Sequence, residues 1–302
     1  MRLARASNMK EVATGSATAT HRYSGRTAVV ATKHGKERIF GRPIKIGLGL
    51  SIACPEDIDT DQLGTFTGEV ERTGTPREAA LRKARLGIAM TGMQLGLASE
   101  GSFGPHPALP FLAVDHELVA FVDNDLGIEI VESVVSTRTN FGQTTAKSVT
   151  ELEQFLKSIG FPSHAVIVRP AGQSKTGPLH KGLTDWHQLA FAVAACSAVS
   201  EIHTASVETD MRAHCNPSRR AVIRKAAFKL VRRLLRTCPN CDSPGWGIVG
   251  HEPGLPCRWC GMPTSLFKCE IYGCVRCDRR VSSVRSDGCL EAEEAQCSNC
   301  NP

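Results

Sequence analysis

The sequence predicts an α/β fold, a mixed sheet flanked by helices, with a small C-terminal zinc-ribbon module. Three observations carry that reading. Apolar, β-leaning runs alternate with segments of helical periodicity from about residue 26 to residue 236. Ten of the thirteen cysteines fall after Arg236, and such crowding marks a separate unit. The length of 302 residues exceeds one small domain and leaves room for a sizeable core beside a smaller module. The chain accordingly divides into a mobile leader over 1–25, an α/β domain over 26–236 and a module over 237–302 with two four-cysteine zinc sites.

Residues 1–25 are rich in Ala, Ser, Thr, Arg and Gly without periodicity, hence the leader. Thr27 to Thr32 is a short apolar run bounded by Gly25 and Gly35, which predicts a buried first strand. A helix from Lys36 and a second strand over Leu48 to Ala53 follow, then an acidic surface turn with Asp57, Asp59 and Asp61. Thr75-Pro-Arg-Glu78 predicts a helix start, because the threonine, the proline and the glutamate together satisfy or remove the free amides. Ala80, Ala84, Ile88 and Thr91 then recur at helical spacing. Gln94 to Ala98 reads as a strand ending in a loop, Ser99 to Pro105. Leu118 to Val122 and Ile128 to Ser136 read as a hairpin about Asp123 to Gly127. A helix capped by Thr150, a strand over Ala165 to Arg169, an apolar helix capped by Thr184 and a strand over Ala205 to Thr209 complete the alternation. Ser218 opens a basic helix whose Ile223, Ala227, Leu230 and Leu234 share one face.

The net charge of +6 is unevenly spread. Arg212 to Arg236 holds nine basic residues and no acid, which suits either a solvated helix or a surface that meets phosphates. The longest apolar run, Leu189 to Val199, contains a serine and is about half the length of a membrane span, so no membrane partner is expected. Without the apolar core of a secretory signal, the expected address is the cytoplasm.

That address favours metal over disulfides as the reason for the cysteines. Cys238-Pro-Asn-Cys241 and Cys257-Arg-Trp-Cys260 are separated by fifteen residues, and Cys274-Val-Arg-Cys277 and Cys297-Ser-Asn-Cys300 by nineteen. Each CxxC turn aims two thiolates at one ion, so consecutive pairs are expected to close two tetrahedra. Cys269 and Cys289 remain as substitutes for a ligand of the second site. Four thiolates leave no open position for water, so both zinc ions are expected to be structural.

Chemistry is sought at strand ends, where open α/β sheets place ligands. Lys33 and Lys36 flank a glycine turn after the first strand and suit a phosphate. Glu100, among glycines, suits a magnesium ion or a water. Asp210 offers a second carboxylate, with Arg212, His214 and Arg219 as anion-holding groups. Basic turns, solvated glutamates and salt-bridged connections account for the same residues without function.

Read together, Thr65-Phe-Thr-Gly-Glu-Val-Glu-Arg-Thr-Gly, Ala98-Ser-Glu-Gly-Ser-Phe-Gly-Pro-His-Pro and Glu208-Thr-Asp-Met-Arg-Ala-His resemble a bacterial family catalogued only as a domain of unknown function with a C-terminal zinc ribbon. The likeness runs from about Arg26 to Pro302. A more distant likeness is to the inosine triphosphate pyrophosphatase and Maf-type superfamily, through Ala31-Thr-Lys-His-Gly-Lys36, Ala79-Ala-Leu-Arg-Lys-Ala-Arg85, the strand before Glu100-Gly101 and Ser218-Arg-Arg. That resemblance implies a first loop touching phosphate, an acid that helps hold magnesium, and Arg219 where the superfamily has histidine. The expected function is therefore a zinc-ribbon protein with magnesium-dependent hydrolysis of nucleotides or related phosphate esters. The alternative is a nucleic-acid-binding or protein-interaction module without catalysis.

Overall fold

A computed structural model describes residues 21–32, 35–55, 74–106, 109–172 and 177–302. The acidic turn at Asp57 to Asp61 and Lys33 lie outside the described residues. Of the expected leader, residues 21–25 are held rather than mobile. Tyr23 is buried, and its hydroxyl donates to Asp123 Oδ2 at 2.9 Å.

The body holds two sheets. In the first, β1 (Thr27–Val30) lies between β2 (Ser51–Ala53) and β3 (Leu95–His106), parallel to both. An antiparallel meander of β3, β4 (Leu109–Asp123) and β5 (Ile128–Ser136) completes the order β2-β1-β3-β4-β5. Helices α1 (Glu37–Leu48) and α5 (Pro217–Leu234) cover one face, where Ile44, Leu97, Phe121, Ile223 and Leu230 form the largest core. Helix α2 (Pro76–Thr91) covers the other, with Ala80, Ala84 and Ile88 against Ala98 and Ala120. The capping box at Thr75 and Glu78 is present as expected, and Pro76 sits at the first helical position.

The second sheet is antiparallel, in the order β6-β9-β7-β8: β6 (Gln143–Ala146), β9 (Ala205–Thr209), β7 (Val166–Pro170) and β8 (His180–Leu183). Its core is filled from α3 (Glu153–Ile159) and α4 (Trp186–Val199), through Leu156, Leu189 and Val193. The module is a third sheet, β10 (Gly247–Pro253), β11 (Phe267–Gly273) and β12 (Arg280–Val284), with cysteine turns at its ends.

Several expectations shift. Ser99 to Pro105 is not a loop; it continues β3, paired residue by residue with β4 as far as Pro105 and Ala113. Low strand propensity there is outweighed by the ladder that the long β4 supplies. Thr150 falls inside a 3-10 turn (Val149–Leu152) and caps nothing. Helix α4 is capped by Asp185, whose carboxylate accepts from the amides of His187 and Gln188, and α5 by Asn216 rather than Ser218. Both capping side chains are short acceptors one or two residues from the expected position.

Candidate functional site

The eight CxxC cysteines form two groups of four, and the grouping interleaves. Cys238 and Cys241 meet Cys274 and Cys277, while Cys257 and Cys260 meet Cys297 and Cys300. The expected pairing of consecutive turns is thereby corrected. Nearest sulfurs lie 3.8 and 3.6 Å apart in the first group and 3.9 and 3.6 Å in the second. Tetrahedral thiolate ligands about 2.3 Å from a zinc ion stand about 3.8 Å from one another, so both groups fit such an ion. Amide groups of the turns point at the sulfurs, Asn240 N–H to Cys238 at 3.4 Å and Arg276 N–H to Cys274 at 3.2 Å. Cys269 and Cys289 join neither group. The pairing follows from β10, β11 and β12, because the antiparallel return along β11 brings the Cys274 turn back to the Cys238 turn.

The second feature is a cluster of buried charges on the first sheet. Glu100 lies within β3 rather than in a strand-end loop, and its carboxylate takes a hydrogen bond from Lys83 Nζ at 2.6 Å. Lys83 comes from the buried stripe of α2, between Ala80 and Gly87. On the opposite face, Asp115 and Glu117 alternate along β4 and so point the same way. Glu117 faces Gly101 across the ladder, and a β-carbon at Gly101 would collide with its carboxylate. The glycine makes the space for the acid.

Arg219, only 1% exposed, reaches this face from the first turn of α5. Its Nε donates to Glu117 Oε1 at 2.5 Å, its Nη1 donates to Met211 O at 2.5 Å, and its guanidinium lies 5.3 Å from the centre of the Phe103 ring. Helix capping sets its position, since Asn216 Oδ1 accepts from the Arg219 amide.

Lys36 sits beyond the end of β1, where it feels both faces of the sheet. Burial and the positive charge of Arg219 lower its pKa to about 8, against the opposing pull of Glu117 and Glu100. Asp115 is pushed up to about 8, first by burial, then by the charge and hydrogen bond of Glu117, with Arg219 opposing. Ser99 Oγ, Asp115 Oδ1 and Glu117 Oε2 are buried and have no hydrogen-bond partner among the described residues.

The structure thus brings Lys36, Glu100 and Arg219 into one electrostatic cluster. Asp210 stands apart: its carboxylate takes Arg212 Nη2 at 2.6 Å and the Gly182 amide at 3.1 Å. Burial pushes its pKa up, and the Arg212 hydrogen bonds outweigh that and hold it below the usual value. Arg212 is engaged in the same pair, and His214 is exposed on the connecting turn. Sequence reasoning missed Lys83, Asp115 and Glu117. Their signal was a charge at each inward position, Lys83 at helical spacing from Ala80 and the two acids in phase with inward Val119 and Phe121.

No described helix is long and apolar enough to cross a membrane. A search of curated proteins finds no match. A family model described as a domain of unknown function (DUF6671) matches residues 83–302, a span that takes in Lys83, Glu100, Asp115, Glu117, Arg219 and all eight paired cysteines, so the chain belongs to that family.

Proposed function

We propose that the charge cluster is the centre of a magnesium-dependent hydrolase of nucleotides or related phosphate esters, and that the module holds two structural zinc ions. The observation that carries the first part is the pair of buried carboxylate oxygens on β4, Asp115 Oδ1 and Glu117 Oε2, with no partner among the described residues. Burying an acceptor without a partner costs about 1–3 kcal/mol, and a bound cation removes that cost. Magnesium is commonly held by one or two protein carboxylates together with waters and substrate phosphate. Such an ion offsets phosphate charge and polarises the phosphoryl group.

The protein's own groups do the rest. Lys36 and Arg219 are the cations that would offset the charge of a phosphate oxygen. The attacking water gives its proton to solvent as its oxygen bonds to phosphorus, while Glu100, held by Lys83 on the other face of the sheet, acts on the charge of Lys36. The ester bond to the leaving oxygen breaks, and that oxygen is protonated from solvent. The likeness of the first loop to phosphate-binding loops of the inosine triphosphate pyrophosphatase and Maf-type superfamily points the same way. Asp210 and Arg212 take the part of a salt bridge that pins the start of α5.

The test is purified protein incubated with a panel of nucleotides and sugar phosphates, with and without Mg²⁺. Turnover is expected only with the metal, reduced about a hundredfold or more by Glu117→Gln, with circular dichroism reporting an intact fold. Turnover no greater than that of Glu117→Gln across the panel would overturn the reading and leave the cluster as a charge network that braces the sheet.

A further inference from the structure

The body and the module enclose a cleft of about 420 Å³ whose lining includes none of the charge cluster's residues. One wall is the C-terminal half of α5 with Lys229 and Arg232, three residues apart on one face, and Arg236 just past the end of the helix. The floor is the edge of β5, and the other wall is the edge of β10 with Trp246 and His251. The single acid lining it, Glu132, is already committed to Lys229 Nζ at 3.2 Å and Arg233 Nη1 at 2.8 Å. Arg232 and Arg236 form no ion pair among the described residues, and both are exposed. Past Arg233 the cleft continues into a second hollow of about 370 Å³ lined by Arg77 and Arg280, and by Glu129, which is paired with Arg85.

We propose that this cleft binds the phosphate backbone of single-stranded nucleic acid. A row of cations along a groove between two strand edges matches a linear polyanion better than a single phosphate, and the half-buried Trp246 indole offers a face on which a base can stack. The groove also accounts for the run of basic residues without acids at the end of α5, which the hydrolase reading does not use. The inference stands independently of that reading.

The experiment is fluorescence anisotropy with labelled single-stranded RNA and DNA of about a dozen nucleotides, in the range that such sites cover. Both sugars are expected to bind, because the contact is to phosphate. Log affinity should fall linearly with log salt, by about 0.7 per phosphate neutralised. The double variant Arg232→Glu/Arg236→Glu should bind about tenfold or more weakly, with a salt slope shallower by about 1.4. Both residues are exposed, so zinc content and circular dichroism should match the parent. Glu117→Gln should bind the oligonucleotide as the parent does, which separates this site from the hydrolase centre. Unchanged affinity and slope in the double variant would overturn the proposal. So would a mononucleotide competing as well as the oligonucleotide, or a duplex binding as tightly as the single strand.

Discussion

Arg219 is the buried cation that pairs with Glu117 inside the protein. A carboxylate with 0% exposure is stable only beside a cation, and the Nε contact at 2.5 Å supplies one. Arg219→Met is therefore expected to destabilise by about 3–5 kcal/mol in urea unfolding at neutral pH, because it strands a buried charge. Removing both charges in Arg219→Met/Glu117→Leu should recover most of that loss. A double variant as unstable as the single one would mean that packing, not charge, sets the cost. Asp115 carries a pH signature of its own. Its pKa is raised from 3.8 to about 8, so between those values the unfolded chain has released a proton that the folded protein keeps. The folded state then binds more protons, and stability falls as pH climbs from about 4 to about 8. In magnesium-free buffer the melting temperature of Asp115→Asn should lack that decline. A variant that keeps the parent's slope would assign the effect to another group.

Helix ends decide where the cluster's side chains point, and α5 shows it most clearly. Asn216 caps the helix, donates through Nδ2 to Asn140 Oδ1 at 2.9 Å, and so ties the start of α5 to the second sheet. Asn216→Ala should cost about 1–2 kcal/mol in the same unfolding measurement. An unchanged midpoint would show that the helix start is held by packing alone. Such starts were legible in the sequence because caps and helical spacing are local signals. Thr75 with Glu78 and the stripe of Ile223, Ala227, Leu230 and Leu234 appear as expected. Strand extension was not legible, because it depends on a partner. Nothing in Ser99-Glu-Gly-Ser-Phe-Gly-Pro105 favours a strand until β4 lies beside it. Starting β4 at Leu118 instead of Leu109 left Asp115 and Glu117 outside any element, so their alternation could not be read as two acids on one inward face. The missed strands β6 and β8 are the two edges of their sheet, short and half polar, where little apolar pattern is required. Lys36, Glu100 and Arg219 could be picked out as candidate charges in the string; that they meet depends on strands and a helix converging from distant positions.

The module meets the body along a seam beside α5 and β5. Gly245, at φ 98°, brings its backbone against Ile130, and Val275 packs on the main core. Arg233 stitches the same junction, donating to Gly245 O, Ile248 O and Glu132. The cysteine group nearest this seam is the one that combines Cys238 and Cys241 with Cys274 and Cys277. The other group lies by Trp259 and Leu290, 79% and 71% exposed. CxxC spacing alone could reveal which cysteines ligate, since each turn is local, but not which turns share an ion, since that is set by the strands between them. Stoichiometry distinguishes the two arrangements. The parent should carry about two zinc equivalents per chain. Cys238→Ala/Cys277→Ala removes two ligands from one interleaved site, so about one equivalent should remain by mass spectrometry under native conditions. Cys238→Ala/Cys257→Ala strikes both sites and should leave close to none. Pairing of consecutive turns demands the reverse, with no zinc in the first variant and about one equivalent in the second. Loss of the seam site should also cost the body stability, because Val275 and Gly245 lose the anchor that holds them on the core, whereas loss of the outer site should leave the melting of the body unchanged.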